Sequence, residues 1–433
     1  MKILVHIRPY SDKYFLSIAR GVFGDNAEIN TISEFRGCAD YWEGDFSLDS
    51  KYDGTLDSAL CNDIICRDRY LRTLPKVEAC RIARRFWTGV EELFEQNNYD
   101  YVLLHPIDCH VQDICERIAR LHGAKPISFV GSFLGGYAKF TLRGEGNVAR
   151  NNIEEAEITE VASLLKDKFF LPDSETAHVT QTKKTALRYY FRRKLIESVY
   201  NPTLRCLKRD WDNQQYGTKL VGDSKFQDLM PTNYDDYFML PEDADIKHND
   251  IYLPLHYTPE QTTDYFCKNI SKVGYERYIL SLIDSVNEDV TFIVKEHPAM
   301  FAKRPISFYV ELCKRKNVKL IHPLSSSNRL LECIDNILVD NGTVGVEALI
   351  RGKRVIAFEK SYYSNLHPNI HLIDKIDDSV LTQPIVKYSD ESFVEDLLKQ
   401  LFRSDLIADK NMNSCDPNSV VIALRRYLKL YGD

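Results

Sequence analysis

The chain has 433 residues and no long apolar run. No window approaches the roughly 18 apolar residues that a membrane span needs, so no transmembrane segment is expected. The amino terminus, MKILVHIRPYS, reads as a strand and a loop rather than a basic stretch followed by an apolar core, so no signal peptide is expected and a cytoplasmic location is. An excess of positive charge is also lacking: the formal net charge is -7, which argues against a nucleic-acid partner for the molecule as a whole. The 11 cysteines are odd in number and no two stand in Cys-x-x-Cys spacing. That disfavours a disulfide framework and a structural zinc site, and leaves buried free thiols in a reducing compartment. No internal repeat at a period of about 20 to 50 residues is present, which excludes a solenoid.

What is present is an ordinary globular composition, 44% hydrophobic and 27% charged, in a chain long enough for two or three domains. The opening alternates strand (2–7), helix (12–22) and strand (27–32), which predicts a parallel α/β sheet. Residues 36–60 are rich in Gly, Asp and Ser and read as a long surface loop. A helix at 74–97, a strand at 101–104, a helix at 111–122, a strand at 126–130 and a polar loop at 131–137 complete a doubly wound domain over 1–150. Residues 151–245 break the rhythm and read as a helical connector. Within it, 183–209 carries nine Lys and Arg against the single acid Glu197, with Tyr189, Tyr190, Phe191 and Tyr200 interleaved. A solvated helix face with its aromatics packed inward, a peripheral contact with an anionic inner-membrane surface or lipid-linked acceptor, and nucleic acid are the three readings of that stretch. The rhythm returns over 246–388, and 389–433 reads as two amphipathic helices. The two halves are alike in architecture only.

The chemistry concentrates in Asn336–Ala357, NILVDNGTVGVEALIRGKRVIA. It reads as a strand, a turn at Asp340, Asn341 and Gly342, a helix capped by Thr343 with Val344, Val346, Ala348, Leu349 and Ile350 facing a sheet, a stop at Gly352, and a strand. Open peptide amides at a helix N-terminus make a phosphate-sized anion site. Upstream, the strand FIVKEHP ends in Lys295 and His297, a cation and an imidazole suited to phosphate oxygens. Glu347, one turn into the helix, suits a ribose diol or partners the helix dipole. His256 and Glu260 sit on the loop that opens the second domain, either facing an interdomain cleft or as part of a structural turn. In the first domain, Asp108 and His110 end a strand; Asp108 reads either as a general base for an acceptor hydroxyl or as the cap of the next helix. Glu34 and Asp12 are further carboxylates after the first strands. Asp243-Ala244-Asp245 has a divalent-ion form that is common by chance, and Ser325–Ser327 reads as a helix cap or a phosphate contact.

Three of these stretches together resemble a family. PLHYTPEQTT at 254–263, VKEHP at 294–298 and DNGTVGVEALIRGKRVIAFEKSYY at 340–363 are similar to the bacterial capsule-polysaccharide biosynthesis proteins, which include transferases of Kdo (3-deoxy-D-manno-octulosonic acid) from CMP-Kdo. The His-Pro pair also resembles that of bacterial sialyltransferases. The match covers about 110 residues of the second domain; the first matches only in rhythm. The resemblance implies a GT-B fold of two opposed Rossmann-like domains, with the donor held by the second. Carried over by position, His297, Asn341, Gly342, Thr343 and Glu347 would bind the nucleotide, with His256 and Glu260 nearby. The chain departs from the family pattern with Glu296 where Pro is frequent, and from the sialyltransferase pattern with Gly342-Thr343 where a Ser-Ser pair stands.

The resulting expectation is a glycosyltransferase with a nucleotide-sugar substrate, CMP-linked Kdo or a related acidic sugar, and no cofactor. Its acceptor would be a surface or lipid-linked glycan, Asp108 its base, and protein groups without a metal would stabilise the departing phosphate. A UDP-sugar 2-epimerase, sharing architecture and turn, and a non-catalytic glycan-binding or export subunit are the alternatives.

Overall fold

Ile3, Leu4 and Val5 are each fully buried, the signature of a central strand covered on both faces. They lie in β1 (Lys2–His6), which pairs in parallel with β2 (Glu28–Ser33) on one side and β4 (Tyr101–Leu104) on the other. The short β3 (Tyr41–Trp42) extends the β2 side in parallel; β5 (Lys125–Gly131) and an antiparallel β6 (Tyr137–Phe140) extend the β4 side. In this computed structural model the described residues are 1–46, 56–167, 191, 195, 234–300, 304–406 and 412–431. The basic stretch 183–209 lies outside them, Phe191 and Leu195 excepted.

A second sheet is built the same way. β7 (Ile251–Pro254), β8 (Phe292–Lys295), β9 (Val318–Ile321), β10 (Asn336–Leu338), β11 (Arg354–Ala357) and β12 (Ile370–Leu372) are all parallel, in the order β12-β11-β10-β7-β8-β9. The chain steps outward from β7 to β9, then returns to the opposite flank of β7 with β10. The first sheet does the same around β1, with β4 on the returning side. Each sheet therefore has a topological switch point, β1/β4 and β7/β10, and an open parallel sheet has its natural crevice outside the strand ends there. Two such Rossmann-like sheets give the expected GT-B-like α/β class.

Helix boundaries follow local chemistry. Asp12–Phe23 has an acid in its first turn and stops at Gly24, whose φ of 86° suits glycine. Val344–Leu349 is followed by Gly352 at φ 67°, the stop read from the sequence.

Besides β3, which lies inside the expected loop 36–60, three elements depart from the sequence reading. Ser58–Arg67 is a helix, capped by Asp57, inside and beyond the expected loop; Cys61, Ile64 and Ile65 bury its inner face. Residues 137–140 form β6 rather than the end of a loop. The C-terminal segment is not two helices alone: between Asp390–Lys399 and Asn418–Tyr431 lies β13 (Leu401–Arg403), antiparallel to β6 at the edge of the first sheet. The last helix then packs on Asp12–Phe23, with Val420 and Leu424 buried beside Phe15 and Ile18. An ideal Cβ on Gly21 would come within 2.8 Å of Val421, so the close approach requires glycine there. One apolar cluster joins the halves: Leu134, Val161 and Leu165 pack with Ile337, Val346, Val355, Phe393 and Leu397.

Candidate functional site

The loops following β10, β7 and β8 leave three neighbouring strands at one edge of the second sheet, with β7 in the middle. His256, Asn341, Gly342, Thr343 and His297 are thereby brought to that edge, around the β7/β10 switch point. The closeness is direct for one pair: an ideal Cβ on Gly342 would lie 3.6 Å from the His256 ring. His297 is half-buried and meets the Tyr257 ring edge-on at 6.0 Å.

The turn after β10 is tied from below. The Asp340 carboxylate accepts the N–H groups of Phe358 (2.7 Å) and Glu359 (3.1 Å) and pairs with buried Lys272. The Tyr363 hydroxyl donates to the carbonyls of Asp340 (3.2 Å) and Gly342 (2.9 Å). With these carbonyls turned to Tyr363, the peptide N–H groups of Asn341, Gly342, Thr343 and Val344 have no hydrogen-bond partner among the described residues. Thr343 differs from expectation: its backbone is already helical (φ -62°, ψ -25°) and its side chain makes no capping bond. The helix is six residues long, too short for much of a dipole. Glu347 is only 4% exposed. The Asn341 amide nitrogen faces the Thr262 carbonyl and the Cys267 thiol, both at 3.5 Å. A narrow cavity under the switch point is lined by His256, Thr262, Lys272, Tyr275, Tyr278 and Asp340.

Lys295 ends β8 and is 3% exposed, so the strand end buries it rather than presenting it on a surface loop. Burial pushes the His256 imidazole down to about 4, helped by Lys272 and Arg304 against the opposing pull of Asp340; at neutral pH it is uncharged. The Glu260 carboxylate accepts the Thr262 hydroxyl at 2.6 Å, and burial raises its pKa above the usual range. Ser326 occupies a cap position without a side-chain bond, and the Ser327 hydroxyl accepts instead from Tyr252 at 3.2 Å. Asp243 ends a short 3-10 turn, and the described residues assemble no group of three metal-ligating side chains.

At the first sheet's switch point stands an ion network. The Arg8 guanidinium donates to both oxygens of Asp108 (2.6 and 3.1 Å) and to Glu34 (2.6 Å); His6 reaches the other Glu34 oxygen at 2.8 Å. Burial opposes ionisation of Glu34, but Arg8 and His6 prevail and hold it at about 2. Burial likewise opposes ionisation of Asp108, and Arg8 again prevails, keeping its pKa below the usual value. Asp108 does not cap the next helix: that helix starts at His110, with Cys109 at the cap position. Asp12 instead accepts the side-chain amide of Asn413 at 2.7 Å.

His110 is fully buried between two acids. Its Nε2 lies 2.8 Å from Glu43 and its Nδ1 3.1 Å from Asp68. Burial disfavours the charged ring, but Glu43 and Asp68 outweigh it and raise its pKa to about 10. It is a structural imidazolium.

The two edges meet through residues that the sequence reading passed over. Asp264 accepts Arg69 and Arg72 of the first half, both at 2.9 Å, while Arg67 donates to the carbonyls of Asp264, Cys267 and Lys268. The Arg69 charge is felt by Asp108 on one side and by Glu260 on the other. The signal was a run of arginines, Arg67, Arg69 and Arg72, but nothing local names their partner 195 residues away.

The fold defines a two-sheet α/β protein, with the candidate residues gathered at the strand ends of the second sheet. Residues 267–366 match the family model described as capsule polysaccharide biosynthesis protein, which shows the family resemblance for that segment. No curated protein matches. Among solved structures, KpsC of Thermosulfurimonas dismutans, beta Kdo 2,7 transferase, is similar at 12% identity over 100% of each chain, with a TM-score of 0.38. KpsC, beta Kdo 2,4 transferase, of the same organism is similar at 15% identity over 75% of this chain and 87% of that one, TM-score 0.33. The UDP-GlcNAc 2-epimerase of Methanocaldococcus jannaschii is similar at 14% identity over 100% and 99%, TM-score 0.24. Among the described residues, no helix is long and apolar enough to cross a membrane.

Proposed function

We propose that this chain is a glycosyltransferase of capsule-polysaccharide synthesis. It would transfer Kdo or a related acidic sugar from a CMP donor to a surface or lipid-linked glycan. The supporting observation is that the segment matching the capsule family, 267–366, contains the β8 and β10 loops of the second sheet's switch point. In this reading His297 and the peptide N–H groups of Asn341, Gly342 and Thr343 bind the nucleotide phosphate, and Glu347 the ribose. His256, uncharged at neutral pH, contributes a hydrogen bond rather than a countercharge. Lys295 adds positive potential from within the strand end. Glu260 lies beside the donor, and Asp108 of the first half takes the proton of the acceptor hydroxyl. Stabilisation of the departing phosphate by preorganised donors is the main catalytic term.

Calorimetric titration of the full chain with CMP and with UDP tests the donor. Binding of CMP and loss of that binding in His297→Ala are expected. Binding of UDP alone, with turnover of a UDP-sugar in the absence of any acceptor, would replace this reading with an epimerase.

A further inference from the structure

Arg304 is completely buried, and every N–H of its guanidinium is spent. Nε donates to Glu296 Oε2 at 2.7 Å. One terminal nitrogen donates to Glu296 Oε1 (3.1 Å) and the His256 carbonyl (2.8 Å), the other to the Thr258 hydroxyl (2.9 Å) and Glu276 (3.0 Å). Five donors in one rigid plane thus meet acceptors from the loop after β7, the end of β8 and the helix Tyr275–Asp284. Glu296, also fully buried, uses its remaining capacity on the peptide N–H of His297 and the Tyr309 hydroxyl, both at 2.7 Å.

We propose that Arg304 and Glu296 are positioning residues that lock the backbones of His256 and His297 into one frame at the second sheet's switch point. The proposal rests on the reading of that edge as the nucleotide site. A buried ion pair is a poor source of stability, since matched apolar side chains often do as well; what it supplies is a fixed geometry. Here a single fork spans the His256 carbonyl and, through one carboxylate, the His297 amide. Lysine keeps the charge but offers no planar fork, so Arg304→Lys is not conservative at this position.

The test uses the full-length chain. In Arg304→Lys, the 15N-imidazole and backbone amide signals of His256 and His297 are expected to shift while those of Leu4 and Val102 in the first sheet stay. The Kd for CMP should rise about tenfold on the folded protein, the scale of one lost charge-assisted contact. Tyr309→Phe, which removes one hydrogen bond to Glu296 and keeps the packing, should give the same pattern at roughly threefold, and it carries the test if Arg304→Lys does not fold. A part that is merely structural would lower the melting temperature and leave Kd and histidine signals alone; that result overturns the proposal. Wild-type protein that binds neither CMP nor UDP overturns the nucleotide reading, and the histidine signals still decide the positioning.

Discussion

Arg69 of the first half and Asp264 of the second are bonded at 2.9 Å, with the Asp264 side chain only 1% exposed. Arg72 shares the same carboxylate, and Arg67 holds the carbonyls just beyond it. Removing one member of a buried charge cluster leaves the others uncompensated, at about 3 to 5 kcal/mol; solvent reaches both arginines, so about 2 to 3 kcal/mol is expected for Asp264→Ala. Hydrogen exchange should accelerate in residues 58–73 and 261–272 together, with β1 and β4 unchanged. Acceleration in one segment alone would show that the two do not form one joint.

The buried imidazolium predicts a particular pH dependence. His110 holds its proton up to about pH 10 when folded and up to about 6.5 in an unfolded chain. Its contribution is whole below pH 6.5 and is lost as pH rises towards 10. Lys139 works in the opposite sense: burial lowers its pKa to about 8, so its cost fades at higher pH. Denaturant melts of wild type and His110→Gln at pH 6.5 and pH 9.5 separate the two. The stability gap between the proteins should narrow at the higher pH, and a constant gap would contradict the charged-histidine assignment.

Gly345 faces the Tyr363 hydroxyl: an ideal Cβ would stand 2.3 Å from it. Gly345→Ala should therefore cost about 1 to 3 kcal/mol by overpacking and disturb the turn whose carbonyls Tyr363 holds. Tyr363→Phe alone gives up the bonds to Asp340 and Gly342. Combined, the two changes should cost somewhat less than their sum, because the second removes the nearest atom with which the first collides while the ring carbons Cζ and Cε2, at 2.7 and 3.0 Å, remain. Thermal melts of the four proteins complete the cycle; simple additivity would mean that the ring carbons, and not the hydroxyl, set the cost of the added methyl.

Asp108→Asn tests the proposed base. It should lower turnover by about 10²- to 10⁴-fold and leave the Kd for CMP within twofold, since Asp108 belongs to the other sheet. Should turnover survive, the residue is only the partner that holds Arg8.

Much of the fold could be read because it is written locally. The apolar runs of β1, β7 and β8, the glycine stop at Gly352 and the strand-helix rhythm each lie within a dozen residues. The helix Ser58–Arg67 was missed because its apolar spacing, Cys61 with Ile64 and Ile65, follows directly on a polar, glycine-bearing stretch. β6 and β13 were missed for different reasons. β13 takes its identity from a partner far away along the chain, Leu401 opposite Lys139, and β6 is a four-residue strand that folds back on β5 across the stretch read as a loop. The site shows the same division. His256, His297 and the 340–343 turn were visible as strand-end motifs. The Arg8 pairing of Asp108 and the Arg304 fork were not, because a charge names its counterion only after the chain has folded.

The edge strand β13 and the helix Asn418–Tyr431 belong to the first sheet's side of the molecule although the whole second sheet precedes them in the sequence. During synthesis the first sheet emerges before the second and must wait, with Phe140 and Gly21 uncovered, until the second sheet has been made and residues 401–424 follow. The earlier of the two sheets is closed only after the later one, and a chain stopped short of residue 401 would strand it incomplete.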